Sequence, residues 1–312
     1  MTILLLLFSL AVLVLSRWLD SWSSSYSTRP NSAPEGVILL PVHEDGLEAD
    51  FFYRKSDRPQ KAVVLLGGSE GGRSWSYRSE FIQELIDRGF CVLSVAYFGT
   101  DHLPQRHIAI PLEYFQKAFQ WMASQKERVI PDDYALVGVS RGGELALLLG
   151  SRHPEVKAVV AIGASPVVWV GMIDNLGRQH SAWSERGIEL PFVKIPYTLA
   201  SIKGMISHKS TRVFEIALQD TPQVRAASIP VEKIQAPVLL ISFKRDQIWP
   251  STLMCGQIVK RLQKSRFDFY YEHADYDETH SEWSIEPCRK NMLKFLTEWF
   301  LSQDSRSDQK DR

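Results

Sequence analysis

The sequence predicts an α/β protein in which helices cover both faces of a mostly parallel sheet. Apolar runs of strand length alternate with helical patterns along most of the chain, and this alternation is typical of parallel sheets. Residues Ala62–Leu66 form a short and entirely apolar run, as expected for a strand buried on both faces. Because sites in such sheets form at the carboxyl ends of strands, functional residues are expected in the loops that follow strands.

Helices are predicted where apolar residues recur every three or four positions. Leu112–Arg128 shows this spacing clearly. Tyr77–Arg88 shows it as well and is followed by Gly89, a residue that commonly ends a helix. The other predicted helices are Gly142–Arg152, Ser251–Gln263 and Arg289–Leu301.

Strands are predicted where short apolar runs lie between turn signals. The residues Glu44-Asp45-Gly46 suit the turn of a hairpin. In chain order the predicted strands are Val37–Val42, Leu47–Tyr53, Ala62–Leu66, Phe90–Tyr97, Tyr134–Val139, Val156–Ile162, Pro237–Phe243 and Phe267–Tyr271.

Residues 165–235 interrupt this alternation. Trp169, Met172, Trp183, Phe192 and Tyr197 follow no regular period there. We interpret the segment as a cap inserted over the sheet, whose apolar residues line a substrate pocket. The alternative, that these residues only pack the cap onto the body, stays open.

Composition excludes several classes of protein. The chain has 312 residues, of which 45% are hydrophobic, and this content is too apolar for disorder throughout. Basic and acidic residues are equal in number at 36 each, so no overall field favours nucleic acid, and no nucleic-acid partner is predicted. The three cysteines share no CxxC spacing, which excludes a disulfide scaffold and a thiolate zinc site.

The N-terminal residues suggest attachment to a membrane. Ile3–Leu15 is apolar apart from Ser9, no Lys or Arg precedes it, and Arg17 follows. Its length lies between the 7–15 residues of a signal-peptide core and the roughly 20 residues of a full span. We interpret residues 1–20 as a short single-pass anchor. The alternatives are a cleaved signal segment, which would make the chain an exported protein, and a buried soluble helix.

The α/β body is expected over residues 36–301, between two polar segments. Residues 21–35 are rich in Ser, contain Pro30 and Pro34 and show no apolar period, which predicts a flexible tether. Residues 302–312 are entirely polar and predict a frayed tail.

The strongest catalytic signal is Gly138-Val139-Ser140-Arg141-Gly142, which matches G-x-S-x-G. A predicted strand precedes it and a predicted helix follows, as a nucleophile elbow requires. The glycines keep a tight turn free of side chains, and the helix N-terminus favours developing negative charge. Ser140 is therefore predicted to be the nucleophile. A glycine-rich turn without chemistry is the alternative.

A serine nucleophile needs a base and an acid that orients the base, and in this architecture they follow in the order acid, then histidine. Asp246 comes just after the predicted strand Pro237–Phe243 and is the candidate acid. His280 is the preferred base, because its loop is long enough to return to the end of the sheet. His273 is the alternative base. A metal site in the acidic stretch around these histidines is disfavoured, because its spacing matches no known ligand pair.

The loop Gly67-Gly68-Ser69-Glu70-Gly71-Gly72 follows the strand Ala62–Leu66. Acyl transfer needs two N–H donors for the oxyanion. We assign them to the backbones of Arg141, the residue after the nucleophile, and Ser69, with Gly68 as the alternative to Ser69. A phosphate-binding loop is disfavoured because no G-K-[ST] follows.

Taken together, these residues resemble the α/β-hydrolase fold. More narrowly, the chain is similar to the C-terminal catalytic domain of the acyl-CoA thioesterase and bile acid-CoA:amino acid N-acyltransferase family. The resemblance extends over about Gly36 to Phe300, is weakest across the cap, and rests on these segments: Leu66–Gly72, Ala96–Phe98, Leu103-Pro104, Pro111–Phe115, Gly138–Leu147, Arg245–Ser251 and Ser284–Pro287. Family members often carry an N-terminal β-sandwich, where this sequence predicts an anchor and a tether. The loop before His280 is also longer and more acidic than the family pattern.

The resemblance implies a serine hydrolase that cleaves an acyl thioester through an acyl-serine intermediate. Family members that transfer acyl groups to amino acids tend to have Cys as the nucleophile, so Ser140 favours hydrolysis. The alternatives are a carboxylesterase, a peptidase, an acyltransferase to an amine acceptor, and a membrane-tethered scaffold with a vestigial site. No metal or other cofactor is predicted, and the expected partner is a small acyl thioester or ester.

Overall fold

The structure, a computed structural model, describes residues 26–30, 32–173, 177–196, 198, 207 and 210–302. The predicted anchor, part of the predicted tether, Tyr197 and nearly all of the predicted tail lie outside these residues. Within the described part of the chain, no helix has the length and apolar character needed to cross a membrane.

One eight-stranded sheet organises the molecule. The described strands are β1 (Ile38–Val42), β2 (Glu48–Tyr53), β3 (Gln60–Leu66), β4 (Cys91–Ala96), β5 (Ile110–Pro111), β6 (Val129–Val139), β7 (Val156–Ile162), β8 (Val170–Ile173), β9 (Gln179–Ser181), β10 (Trp183–Glu185), β11 (Ile188–Glu189), β12 (Val238–Phe243) and β13 (Tyr271–Tyr276). The main sheet has the order β1-β2-β4-β3-β6-β7-β12-β13. Its first two pairings, β1 with β2 and β2 with β4, are antiparallel, and the other five are parallel.

Helices cover both faces of this sheet. The described α-helices are α1 (Ser79–Asp87), α2 (Glu113–Ser124), α3 (Arg141–Gly150), α4 (Thr211–Ala217), α5 (Thr221–Ala226), α6 (Ser251–Ser265) and α7 (Glu286–Leu296). Helices α2, α3 and α6 pack on one face, and α1 and α7 on the other. In β3, Ala62, Val64 and Leu66 face the first group while Val63 and Leu65 face the second. The alternation of a strand therefore supplies both layers of the core, and a purely apolar run is required there.

The predicted cap lies between β7 and β12. Its described part contains the antiparallel pair β8–β9, the strands β10 and β11, and helices α4 and α5. β10 pairs with β11 and also with β5 of the body, so the segment is joined to the body by a small sheet. Trp169 and Trp183 are fully buried. These two aromatic residues therefore pack the segment, and the Trp183 indole and the Trp169 backbone both donate hydrogen bonds to Glu144.

The prediction of a strand over Phe267–Tyr271 is wrong. The edge strand β13 begins at Tyr271 and runs to Tyr276, in register with β12 from Val238↔Tyr271 to Phe243↔Tyr276. Phe269 and Tyr270, in the predicted strand, are 39% and 37% exposed. An edge strand is covered incompletely, so it tolerates the polar sequence Glu272-His273-Ala274-Asp275 where a central strand would not. The shift places His273 inside a strand instead of after one.

Candidate active site

Ser140 stands where β6 turns directly into α3. Its backbone angles are φ 56° and ψ −115°, a region that residues other than glycine rarely adopt and that often marks functional sites. A Cβ atom at Gly138 would lie 2.0 Å from the Gly142 carbonyl oxygen, and one at Gly142 would lie 2.2 Å from that of Leu66. The strand-to-helix turn is therefore tight enough to require glycine on both sides of the serine.

This crowding predicts a sharp difference between two glycine-to-alanine substitutions. Gly142→Ala forces a methyl group against backbone, so we expect it to lower the free energy of unfolding by about 2 kcal/mol or more. A Cβ atom at Gly256, within α6, would enter open space, with no neighbouring element within 4 Å. Gly256→Ala is therefore expected to raise stability by about 0.5–1 kcal/mol. Urea unfolding of both variants measures the difference, and equal effects would contradict the crowded turn.

The candidate acid and the preferred base are in direct contact. Asp246 follows β12 and His280 follows β13, and the His280 Nδ1–H donates to Asp246 Oδ2 at 2.7 Å. The other carboxylate oxygen, Oδ1, accepts the backbone N–H groups of Ile248 at 3.0 Å and Trp249 at 3.1 Å. Both side chains are largely buried, at 2% exposed for Asp246 and 11% for His280. The carboxylate is thus fixed on one side by backbone and orients the imidazole on the other.

The end of β7 lies between this pair and the serine. The Ser140 backbone N–H donates to the Ile162 carbonyl at 2.7 Å. At the next residue, Gly163, a Cβ atom would lie 3.2 Å from Cε1 of His280. The indole N–H of Trp249 donates to the Gly163 carbonyl at 2.9 Å. Ser140, Asp246 and His280 are therefore gathered at the carboxyl ends of neighbouring strands, around a glycine that the sequence analysis did not single out.

His273, the alternative base, has different partners. Its Nε2 lies 2.7 Å from Ser242 Oγ, and that hydroxyl donates to Asp275 Oδ1 at 2.6 Å. Thr252 donates to the same carboxylate oxygen at 2.8 Å. Burial lowers the pKa of His273. This second Ser–His–Asp group lies within the β12–β13 pairing, and its serine has no elbow. Among the described residues, no group of three or more His, Cys, Asp or Glu is placed to hold a metal ion.

Residues 67–73, the glycine loop, follow β3 and approach Ser140. A Cβ atom at Gly68 would lie 3.2 Å from Cβ of Ser140. The Gly68 N–H donates to Glu70 Oε1 at 2.9 Å, so this alternative oxyanion donor is already engaged. Ser69 is exposed, and Arg141 opens α3 directly after Ser140. The loop is at the right place for an oxyanion site, and the donor roles of the Ser69 and Arg141 N–H groups stay predictions.

The side chain of Arg141 has a role that sequence reasoning missed. Its guanidinium pairs with Glu144 at 2.7 Å and also donates to the Val170 carbonyl of the cap segment. Glu144 Oε1 accepts the indole N–H of Trp183 at 2.8 Å and the backbone N–H of Trp169 at 3.3 Å. Burial raises the pKa of Glu144, and the Arg141 cation opposes that rise. Helix α3 is thereby hydrogen-bonded to residues 165–235, the predicted cap.

A signal for this pair was visible in the sequence. Glu144 is the single charged residue within the apolar stretch from Gly142 to Leu149. A carboxylate on such a helix is buried, and a buried charge needs a partner. Removing one partner of a buried ion pair generally costs about 3–5 kcal/mol, because the other charge is left unpaired.

His107 is a second residue that the sequence analysis passed over. It is 2% exposed, stacked on Phe98 with ring centroids 4.9 Å apart, and in edge contact with Trp183 at 4.5 Å and Tyr97 at 5.7 Å. Its Nε2 has no hydrogen-bond partner in the described part of the chain. Burial lowers the pKa of His107 well below its usual value, and the nearby Arg141 cation lowers it further. The imidazole is therefore neutral in the folded protein at neutral pH.

A neutral buried histidine predicts acid sensitivity. Below about pH 6.5 the unfolded chain binds a proton at His107 that the folded chain excludes, so stability falls as pH falls, by up to about 1.4 kcal/mol per pH unit. Above that pH the contribution is fully present. We expect His107→Phe, which keeps a planar ring, to remove this part of the pH dependence. Urea unfolding of both proteins from pH 7.5 to 5 measures it, and parallel curves would contradict the assignment.

Comparison with known proteins agrees with this geometry. Residues 110–287 match the family described as BAAT / Acyl-CoA thioester hydrolase C terminal. Acyl-coenzyme A thioesterase 1 of Mus musculus is 29% identical over 228 residues, which are 73% of this chain and 50% of that protein. Acyl-coenzyme A thioesterase 2, mitochondrial, of the same organism is 28% identical over 230 residues, with 73% and 46% covered. The chain thus spans about half the length of these curated relatives.

Among solved structures, esterase B from Lactobacillus rhamnosis superposes with a TM-score of 0.58 at 13% identity, covering 100% of this chain and 99% of that one. At this identity the likeness concerns the fold alone. The molecule has the predicted α/β-hydrolase fold. Since the family match extends over more than half of the sequence, the chain belongs to the BAAT / acyl-CoA thioester hydrolase C-terminal family.

Proposed function

We propose that this protein is a serine hydrolase of the acyl-CoA thioesterase type. The observation that supports this most is the buried Asp246–His280 hydrogen bond beside the Ser140 elbow. The order Ser, Asp, His along the chain is the one that this architecture uses for acyl transfer. The thioesterase names of relatives that match 73% of the chain support a thioester as the substrate.

In the proposed reaction, Ser140 Oγ attacks the carbonyl carbon of the thioester, and His280 accepts the hydroxyl proton. The carbonyl becomes a tetrahedral oxyanion, held by the N–H groups of Ser69 and Arg141. The C–S bond then breaks, the thiol leaves with the proton from His280, and the acyl group stays on Ser140. Water gives a proton to His280 and attacks this ester; the bond between the acyl carbon and Ser140 Oγ then breaks, His280 returns the proton to Oγ, and the carboxylic acid is released. Asp246 orients the imidazole and stabilises its cation in both halves.

The serine itself supports hydrolysis over transfer to an amine. An acyl-cysteine would remain a thioester, which an amine attacks readily. An acyl-serine is a less activated oxygen ester, and water is its main acceptor. The carboxylesterase, peptidase and acyltransferase alternatives therefore become outcomes of the test.

The test compares four reactions of one acyl group. The first assay measures release of free thiol from short-, medium- and long-chain acyl-CoA. The second and third measure hydrolysis of an oxygen ester and of a peptide that carry the same acyl group. The fourth measures amide formation when an amino acid is added. We expect the highest kcat/KM for the thioester, with the acid as product. A folded protein that releases no thiol but cleaves the oxygen ester would overturn the thioesterase proposal. Amide as the main product would identify an acyltransferase.

We also propose that residues 1–20 attach the protein to a membrane, on the support of the apolar run Ile3–Leu15. The full chain is expected in the membrane fraction after carbonate extraction, and the double variant Leu7→Arg, Leu13→Arg in the soluble fraction. Mass spectrometry of the N-terminus distinguishes a retained anchor from the alternative, a cleaved signal segment. Loss of residues 1–20 from the mature protein would mean a cleaved signal segment.

A further inference from the structure

Residues 26–30, here named the strap, lie against the glycine loop of the candidate site. The Arg73 N–H donates to the Tyr26 carbonyl at 2.8 Å. A Cβ atom at Gly72 would lie only 2.4 Å from that same oxygen, and Gly72 has φ +59°. A glycine is therefore needed where the strap crosses the loop. The sequence predicted a flexible tether for this part of the chain, but its described residues are hydrogen-bonded to the body.

Side chains of the strap add further contacts. The Tyr77 hydroxyl donates to the Thr28 carbonyl at 3.1 Å, and the rings of Tyr26 and Tyr77 meet edge to face with centroids 5.4 Å apart. Tyr77 ends the 3₁₀ turn that follows the glycine loop. The strap thus contacts both the glycine loop and the 3₁₀ turn that follows this loop.

Arg29 completes a charge cluster that includes Arg73, the last residue of the glycine loop. The Asp50 side chain is fully buried. Its carboxylate pairs with the guanidinium groups of Arg29 and of Arg73, at 3.1 Å for Arg73. It also accepts a hydrogen bond from the Ser76 hydroxyl at 2.6 Å. Glu48, 4% exposed, pairs with Arg73 as well. Two carboxylates are therefore paired with two guanidinium groups, one of which comes from the strap, and His43 contacts Glu48 at 2.7 Å and Arg29 at 3.0 Å at the more exposed side of the cluster. Without Arg29 the cluster would keep an unbalanced buried negative charge, which is costly and would pull Arg73 and Ser76 to new positions.

The cluster and the nucleophile are linked through a short piece of chain. Arg73 and Ser76 hold the far end of the glycine loop, the Gly72 N–H donates to the Phe98 carbonyl at 2.8 Å, and Gly68 lies against Ser140. Only four residues separate Gly68 from Arg73. A shift at Arg73 therefore moves the backbone N–H groups from which the oxyanion donor is drawn, and these donors depend on sub-ångström placement.

We propose that Arg29 is a positioning residue: through the charge cluster with Asp50 and Arg73 it sets the glycine loop beside Ser140. The inference rests on the proposed hydrolase function. Because oxyanion contacts form mainly in the transition state, the loss of Arg29 acts on kcat and leaves KM nearly unchanged.

The test compares Arg29→Ala with a matched control in the full chain. Arg261→Ala removes a similarly buried arginine, 32% exposed against 23% for Arg29, whose partners Ser228, Ile229 and Glu232 lie outside the site. Both variants are expected to lower Tm. Arg29→Ala alone is expected to lower kcat about tenfold or more at a temperature well below either Tm. The Arg29→Ala variant is also expected to react more slowly with a fluorophosphonate at Ser140 and to show faster amide hydrogen exchange in residues 67–73.

Two further variants distinguish a specific effect on kcat from poor folding of Arg29→Ala. Arg29→Lys keeps a cation and is expected to restore part of kcat. Tyr77→Phe removes the hydroxyl that holds the strap, leaves the charge cluster intact, and is expected to lower kcat by a smaller factor. If Arg29→Ala and Arg261→Ala lower Tm alike and both keep wild-type kcat, Arg29 is structural only and the inference is overturned. If the wild type hydrolyses neither thioester nor ester, the proposed function fails instead.

Discussion

Replacing Ser140 with alanine is expected to lower kcat for thioester hydrolysis by on the order of 10⁵–10⁶-fold. The elbow places Ser140, the proposed nucleophile, at the carboxyl end of β6, with Gly68 of the glycine loop against it and His280 against Gly163 at the end of the next strand. Alanine removes that atom and keeps the Arg141 N–H and the rest of the turn. Residual catalysis above the rate in water is expected from transition-state binding alone. Single-turnover thiol release measures the loss, and an unchanged Tm shows that the fold is intact.

The matched control is Ser242→Ala. Ser242 also contacts a histidine and an aspartate, at 2.7 Å from His273 and 2.6 Å from Asp275. It lies within β12, with ordinary strand neighbours, and is expected to affect stability while kcat stays within a few-fold of wild type. Near-normal turnover by Ser140→Ala would remove the serine from the mechanism. A loss confined to Ser242→Ala would move the nucleophile to the second group.

The parts of the fold that sequence could predict are those whose burial is uniform. β7 matches its predicted range, Val156–Ile162, because its last five residues, Ala158–Ile162, are buried and apolar, as a strand covered on both faces requires. β13 was misplaced because an edge strand has no such requirement. Its apolar neighbours, Phe267–Tyr270, attracted the prediction, while the pairing with β12 that decides the matter is a long-range contact. The local sequence pattern contains no information about the pairing with β12.

The same distinction applies to the site. Ser140, Asp246 and His280 each follow a strand in a local pattern, so the sequence could nominate them. The fold joins Asp246 to His280 by a hydrogen bond and places Ser140 against the end of the neighbouring strand β7. Glu144 and His107, in contrast, make their contacts with residues that are distant along the chain. The indole that binds Glu144 belongs to Trp183, 39 residues later, and only the folded cap segment brings the two together. The strap could not be anticipated either, since its Ser- and Pro-rich sequence has no apolar period.

Asp246→Asn is expected to lower kcat by about 10⁴-fold, although it removes only one charge and keeps the shape of the side chain. Oδ1 of Asp246 accepts two backbone N–H groups, from Ile248 and Trp249. The asparagine oxygen must remain there, because an NH₂ group would face two donors. Its NH₂ is then turned toward Nδ1 of His280, which must become an acceptor. That tautomer has its proton on Nε2 and cannot accept one from Ser140.

The measurement is kcat, with the rate of fluorophosphonate labelling at Ser140 as a second reading of nucleophile activation. Both are expected to fall together, because both require proton transfer to His280. Asp275→Asn is the matched control, since Asp275 holds Ser242 and Thr252 and lies outside the Asp246–His280 pair. It is expected to lower Tm and to leave both rates near those of the wild type. A loss of less than tenfold in Asp246→Asn would mean that another carboxylate orients the base, since the backbone donors of Ile248 and Trp249 leave the asparagine no other productive orientation.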